Sequence, residues 1–283
     1  MKDQHQQLDE YSPLQAMPRL PWPVVIAAVL LGGLAIAVQQ TDEVSAQMAP
    51  YELTNEPSMD DRAEEVMRQM STTLAAADAF TIRGQRSVDP ELAAGTDAVQ
   101  STDIEVSIQR PDMLYAEARG EGDHRKMFYD GETFTLADME QGLYSTVDRP
   151  GNIDVLLRTL SEEYGFNPPV SDILVADPFA HLMRNVEAGE YLGQEQVDGK
   201  TTDHLRFEEE FLSWELWVDA ERNVPVKMVA TVPGMEGNPK LVAESIEVDL
   251  DPELDEGMFV FDPTGESREI PMVPVGEEPS AAR

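Results

Sequence analysis

The sequence contains no cysteine. That absence excludes a disulfide framework, a zinc ribbon, an iron–sulfur cluster and a thiol nucleophile. Lysine is nearly as scarce, with five residues (Lys2, Lys126, Lys200, Lys227, Lys240) against fifteen arginines. Together they number 20 against 55 acidic residues, a formal net charge of −35 over 283 residues. Such a chain repels phosphate backbones, which argues against nucleic acid as a partner, and it has no polybasic patch for anionic lipid. Also missing are a Gly-x-Ser-x-Gly elbow, a paired-histidine helix and a phosphate-cradling glycine loop. The expectation is a protein that is not an enzyme, with no cofactor and no metal.

Abundant carboxylates with scarce lysine point to a protein that works in strong salt, where self-repulsion is screened within about 3 Å at 1 M. An ordinary acidic, well-solvated surface is the alternative.

One uncharged apolar run is present, Leu20 to Val38, with Arg19 before it and Gln39-Gln40-Thr41-Asp42-Glu43 after it. At about 1.5 Å per residue it only just reaches the thickness of a bilayer core. Val44-Ser45-Ala46 then offers small residues at the spacing a signal peptidase reads. Residues 1–46 are therefore expected to be a signal peptide or an uncleaved anchor. Either way the remainder is exported, soluble after cleavage or held at the inner membrane facing the periplasm. Membrane contact is expected only through residues 20–38, if they are retained.

Residues 47–58 read as a tether. Ser58 is a candidate cap for a helix over about 59–77, in which Ala63, Val66, Met67, Met70, Leu74 and Ala77 form one apolar stripe. The period then changes to two, as in Phe80-Thr-Ile82 and Ile104-Glu-Val106-Ser-Ile108, and Asp130-Gly131 marks a hairpin. About six locally connected, antiparallel strands run to Val147. Asn152 is placed to cap a helix over Ile153 to Tyr164, and Asp177-Pro178 opens another through about Asn185. Strands resume at Tyr191, with Asp198-Gly199 as a second hairpin turn, and a last short strand is expected at Met258 to Phe261. Residues 263–283 read as a disordered acidic tail.

This pattern predicts a single α+β, mainly β domain over 59–262, in which about eleven antiparallel strands form an incomplete, half-open barrel. The helical stripes must bury themselves, and the concave face of the curled sheet is the available partner. Larger barrels enclose cavities.

Met127-Phe-Tyr-Asp-Gly-Glu-Thr-Phe-Thr-Leu, Leu143-Tyr-Ser-Thr-Val and Ile173-Leu-Val-Ala-Asp-Pro-Phe resemble, in this order, a family of predicted periplasmic proteins of unknown function. So do Tyr191-Leu-Gly to Val197-Asp-Gly and Trp214-Glu-Leu-Trp-Val-Asp to Asn223-Val-Pro-Val-Lys. The resemblance spans roughly residues 60–262. That family is similar in layout to the periplasmic lipoprotein carriers and their outer-membrane acceptors, the LolA/LolB-like proteins. The resemblance implies a LolA-like half-barrel whose helical lid covers acyl chains. It also implies a lid-latching arginine, for which Arg83 and Arg110 are candidates. The acceptors' lipid-modified cysteine has no counterpart here.

On this reading the apolar sets Phe80/Ile82, Ile104/Val106/Ile108, Phe134/Leu136, Leu156/Leu160 and Trp214/Leu216 line an acyl pocket; the plainer alternative is ordinary core. The expected function is a non-catalytic periplasmic protein that sequesters or carries a lipid or acyl chain. The alternative is an envelope sensor that binds a lipoprotein or protein partner through the same fold. Trp217 should face outward, opposite Trp214, and is a candidate partner surface. Asp177 and His181 stand four apart on a helix, the spacing of a metal pair or of a cap with a neighbouring histidine. Asp249-Leu-Asp251-Pro-Glu253-Leu-Asp255 hints at a calcium loop. Leu254 and Val260 stand where that loop needs glycine and glutamate, so a solvated acidic turn is the better account.

Overall fold

The computed structural model describes residues 58–92, 98–168 and 170–276. The signal peptide or anchor expected over 1–46 and nearly all of the expected tether lie outside them. No helix among the described residues is long and apolar enough to cross a membrane.

Helix α1 (Asp61–Ala76) is capped by Asp60, whose side chain accepts from the amides of Arg62 and Ala63. The cap expected at Ser58 is two residues too early. Ser58 is still on the edge of the sheet, its carbonyl accepting from the Gly189 N–H at 3.0 Å, while the Asp60 N–H donates to the Gly189 carbonyl at 2.9 Å. A Cβ at Gly189 would lie 2.5 Å from the Met59 sulfur, so glycine is what lets this segment approach.

Strands β1 (Ala79–Val88), β2 (Gln100–Gln109), β3 (Met113–Gly120), β4 (Asp123–Tyr129), β5 (Thr133–Asp138) and β6 (Leu143–Asp148) form one meander. Helices α2 (Ile153–Tyr164), α3 (Ser171–Leu174) and α4 (Pro178–Leu182) follow. A second meander then runs through β7 (Ala188–Val197), β8 (Lys200–Glu208), β9 (Ser213–Asp219), β10 (Pro225–Thr231) and β11 (Lys240–Asp249). Pairing of β1 with β11 joins the two into one open 12-stranded sheet, counting the short β12 (Arg268–Glu269), in the order β12-β6-β5-β4-β3-β2-β1-β11-β10-β9-β8-β7. The join needs local adjustment. The register shifts between Arg83 and Gln85, Ser245 has φ +51°, and a Cβ at Gly84 would meet the Glu244 carbonyl oxygen at 3.1 Å. This is a β-bulge with glycine at the close approach.

Period-two alternation sends one face of both meanders inward. There it meets Ala63, Val66, Met67, Met70 and Leu74 of α1 and Ile153, Leu156, Leu157 and Leu160 of α2 in one buried cluster.

Three expectations are corrected. Met258 to Phe261 is not a strand but part of a 3-10 turn, Glu256–Phe259, capped by Asp255. Both edges of β11 are already paired, with β10 and β1, so a following strand has no adjacent neighbour to join. The short helix after Asp177 ends at Leu182, and α3 precedes it where the prolines suggested only a break. The segment from 263 was expected to be a disordered tail. Its described part, to Gly276, instead runs beside β6 as the parallel strand β12 and goes on to the end of α2, where the Val275 N–H donates to the Glu163 carbonyl at 2.8 Å. Its prolines masked apolar residues that make contacts, Met272 among them, which packs against the core.

Candidate functional site: the lidded concave face

Strand register brings the candidate pocket residues together. Phe80 lies opposite Ile108, Ile82 opposite Val106 and Gly84 opposite Ile104 on β1 and β2. Phe134 lies opposite Tyr129, and Leu136 opposite Met127. On the second meander Trp214 pairs across from Phe207, with ring centroids 4.3 Å apart, and Leu216 across from Leu205. Leu156 and Leu160 come down on this face from α2. All of these candidates except Leu136 are at most 4% exposed, and Leu136, partly buried, packs against the same cluster.

The concavity is occupied by helix side chains. Met67, Met70 and Leu74 enter it from α1, and Ile173, Leu174 and Leu182 join α2 from α3 and α4. Two open depressions on the described surface lie elsewhere. One, of about 410 Å³, is on the outer face of β4–β6, and the other is bordered by Asp61, Glu64 and Arg68 on the polar side of α1.

Polar contacts hold the helical cover to the sheet. Arg110, at the end of β2, donates from Nη1 to the Leu174 carbonyl at 3.1 Å and from Nη2 to the Val175 carbonyl at 3.2 Å. These are carbonyls at the C-terminal end of α3, where helical carbonyls lack internal partners and a cation is favoured. Burial lowers the Arg110 pKa from its usual value, with Asp154 opposing the shift. Asp154 itself, on α2, accepts from the Ala176 N–H at 2.9 Å, so α2 is tied to the link between α3 and α4. The Arg68 guanidinium sits 3.8 Å from the Phe179 ring centroid and links α1 to α4.

Tyr129 fixes the entrance to α2. Its hydroxyl lies within donating distance of the Arg149 and Gly151 carbonyls, both at 2.8 Å, and of the Gly131 carbonyl at 3.2 Å. Burial, with Asp112 and Asp130 nearby, pushes this phenol up to about 12. The Ile153 N–H donates to the Pro111 carbonyl at 2.9 Å, adding a backbone tie at the same point.

Of the two candidate arginines, Arg110 is the one that touches the covering helices. Arg83 points to the other face of β1, where it is paired with Glu105 at 2.9 Å in an exposed ion pair. Tyr129 and Asp154 were not among the candidates. A tyrosine at a strand end and an acid in a helix's first turn are common, and only the tertiary placement of their acceptors and donors marks them.

Trp217 does lie on the outer face, but it is only 7% exposed, so it offers no bare partner surface. The His204 imidazole stacks on it at 4.1 Å, Lys227 lies over its ring and its indole N–H is bonded to Glu195. Long polar side chains have covered an outward ring, which period-two counting does not reveal. Another outer cluster centres on Glu117. Burial pushes this carboxyl up, but donation from Tyr115, His124 and Arg119, with Lys126 nearby, outweighs burial and holds it at about 2. Asp177 accepts from the Ala180 N–H at 2.9 Å as a helix cap, while His181 turns to Asp172 at 3.0 Å. Among the described residues, no group of three or more His, Asp or Glu is placed to hold a metal ion.

A family model described as "Predicted periplasmic protein (DUF2092)" matches residues 63–273, and the chain belongs to that family. No curated protein matches the chain. Among solved structures, it is similar to an uncharacterised conserved protein from Thermus thermophilus, with 8% identity and TM-score 0.46, over 75% of this chain and 99% of that one. It is also similar to MucB, with 11% identity and TM-score 0.42, over 72% of this chain and 64% of that one. A third is the Mycobacterium tuberculosis lipoprotein LppX, with 12% identity and TM-score 0.41, over 65% of this chain and 93% of that one.

Proposed function

We propose that this member of a family of predicted periplasmic proteins is a non-catalytic carrier or store for a lipid or acyl chain. The chain would lie against the concave face once α2–α4 lift. The observation that carries the reading is the Arg110 latch. A half-buried cation holds the end of α3 by two backbone carbonyls, its guanidinium 5.8 Å from the ring centroid of Phe80 on the apolar face. A cover that must open and reclose gains from a contact that water can replace.

In the closed form the lid's own leucines and the α1 methionines take the place of ligand, so uptake is an exchange. Methionine suits such an exchange because its flexible thioether repacks readily. Fully exposing Ile153, Leu156, Leu157 and Leu160 of α2 with Ile173, Leu174 and Leu182 of α3 and α4 would cost about 10–21 kcal/mol at roughly 1.5–3 kcal/mol each. A fourteen-carbon chain buried in their place supplies about 11 kcal/mol at roughly 0.8 kcal/mol per methylene. The acyl chain therefore offsets part of that cost, and the lifted helices must keep some of their apolar surface against it.

The test uses Trp214, which lies in the proposed pocket. Protein purified without detergent is titrated with a fatty acid brominated along its chain, and indole fluorescence is followed, with native mass spectrometry on the same sample. The expected result is quenching that disappears in Trp214→Phe, together with a co-purifying or added lipid mass. An apo mass and unquenched Trp214 at saturating fatty acid would overturn the proposal.

A further inference from the structure

The end of the described chain behaves as a strap. Phe259 is buried against the outer face of β3 and β4, and Phe261 follows, its ring 5.3 Å from Phe128 and 4.9 Å from Tyr144. The chain then passes along the free edge of β6. There the Arg268 N–H donates to the Gly142 carbonyl at 2.9 Å, the Ile270 N–H to the Tyr144 carbonyl at 2.8 Å, and the Ser145 hydroxyl to the Ile270 carbonyl at 2.8 Å. It ends at α2, through the bond from Val275 to Glu163. One segment thus touches the outer face, the sheet edge and the lid in turn.

The strap is weakly seated at the edge. Its ladder covers two residues, both with exposed side chains. Beneath it lies the cavity of about 410 Å³, bordered by Phe128, Tyr144, Phe259, Phe261 and Glu269, where strap and sheet do not close on each other. Its surroundings are mainly acidic. Glu140 and Asp148 flank β6, and the strap carries Glu266 and Glu269 with one cation, Arg268, between them, all five exposed.

We infer that the β6 edge is a strand-addition site for an extended, basic segment of a partner protein, and that residues 264–270 occupy it in cis as a displaceable substitute. Main-chain bonds give such a site its affinity, and a segment carrying Lys or Arg in place of Glu266 and Glu269 fits the acidic rim better than the strap does. Displacing the strap also removes the Val275 tie from the end of α2, so docking at the edge loosens the lid. This last step rests on the carrier reading; the docking site does not.

The probe is a fluorescent peptide of residues 264–275 with lysine in place of Glu266 and Glu269, followed by anisotropy against the full-length protein. Ile270→Pro removes the N–H that bonds to Tyr144 and frees the edge. Because a tethered competitor acts at millimolar effective concentration, the peptide should bind this variant about tenfold or more tighter than the unaltered protein. A peptide with proline at the Ile270 position should not bind. Equal affinity for both proteins, no binding to Ile270→Pro, or equal binding of the proline peptide would overturn the inference. If Ile270→Pro does not fold, Arg268→Pro, which removes the strap's other N–H bond to the edge, at the Gly142 carbonyl, must shift affinity in the same direction. Peptide should also speed release of a bound brominated fatty acid. If the peptide binds and release is unchanged, the coupling is wrong; if no fatty acid binds at all, the carrier reading fails while the peptide arm still decides the docking site.

Discussion

Arg110 Nη1 donates to the carbonyl oxygen of Leu174 across 3.1 Å, joining residues 64 positions apart at the boundary between sheet and lid. With the neighbouring bond to Val175, it is a charged contact between the concave sheet and the helices that cover it.

Replacing that residue, as Arg110→Met, keeps much of the side-chain volume and removes both bonds. Hydrogen bonds from a charged group contribute about 1.5–3 kcal/mol, so a comparable loss of global stability is expected. The distinctive outcome is local: faster hydrogen exchange over 171–182 than over β2, with faster uptake of an acyl probe. Uniform acceleration over both would mean that Arg110 supports the core and not the lid.

Tyr129→Phe leaves the carbonyls of Arg149 and Gly151 without their hydroxyl donor and should cost about 1–2 kcal/mol in denaturant unfolding. The phenol titrates at about 12 when folded, against 10 when unfolded. A raised acid pKa means that folding favours the neutral form. This stabilisation is therefore complete below pH 10 and is lost as pH rises towards 12. Tyr129→Phe should lack that alkaline component.

Glu117 has the opposite sign. Its carboxyl is held at about 2, below the unfolded 4.5, so its contribution is present above pH 4.5 and disappears as pH falls towards 2. After allowance for partial exposure, this is worth about 1–2 kcal/mol. Glu117→Gln should flatten the stability profile over that window. An unchanged acid limb would show that the cluster of Tyr115, His124 and Arg119 does not stabilise the ionised form.

Net charge of −35 leads to a prediction about salt. With repulsion screened to about 3 Å at 1 M, the melting temperature should rise between low and molar sodium chloride. A flat or falling trend would leave an ordinary acidic surface as the account of the composition.

Much of the architecture could be read along the chain because its signals are local. Alternation at Phe80/Ile82 and Ile104/Val106/Ile108 placed these side chains on one face, since successive strand residues must point oppositely. Asp198-Gly199 turns as anticipated, with φ +49° and +76°, values that an Asp-Gly pair tolerates in a two-residue hairpin. Asn152 and Asp177 cap their helices through side-chain oxygens that need only neighbouring amides.

What the sequence by itself determined was thus the strands, most helices, the inward faces and the acidic exterior, because each depends on residues within a few positions of one another. Tertiary structure alone decided that β1 pairs with β11, that Arg110 and not Arg83 meets the lid, that Trp217 is covered, and that the chain after Phe261 binds the β6 edge. Each of these is a contact between distant segments. Whether a guanidinium, an indole or a strand edge finds its partner depends on where the folded sheet brings that partner, which no local period encodes.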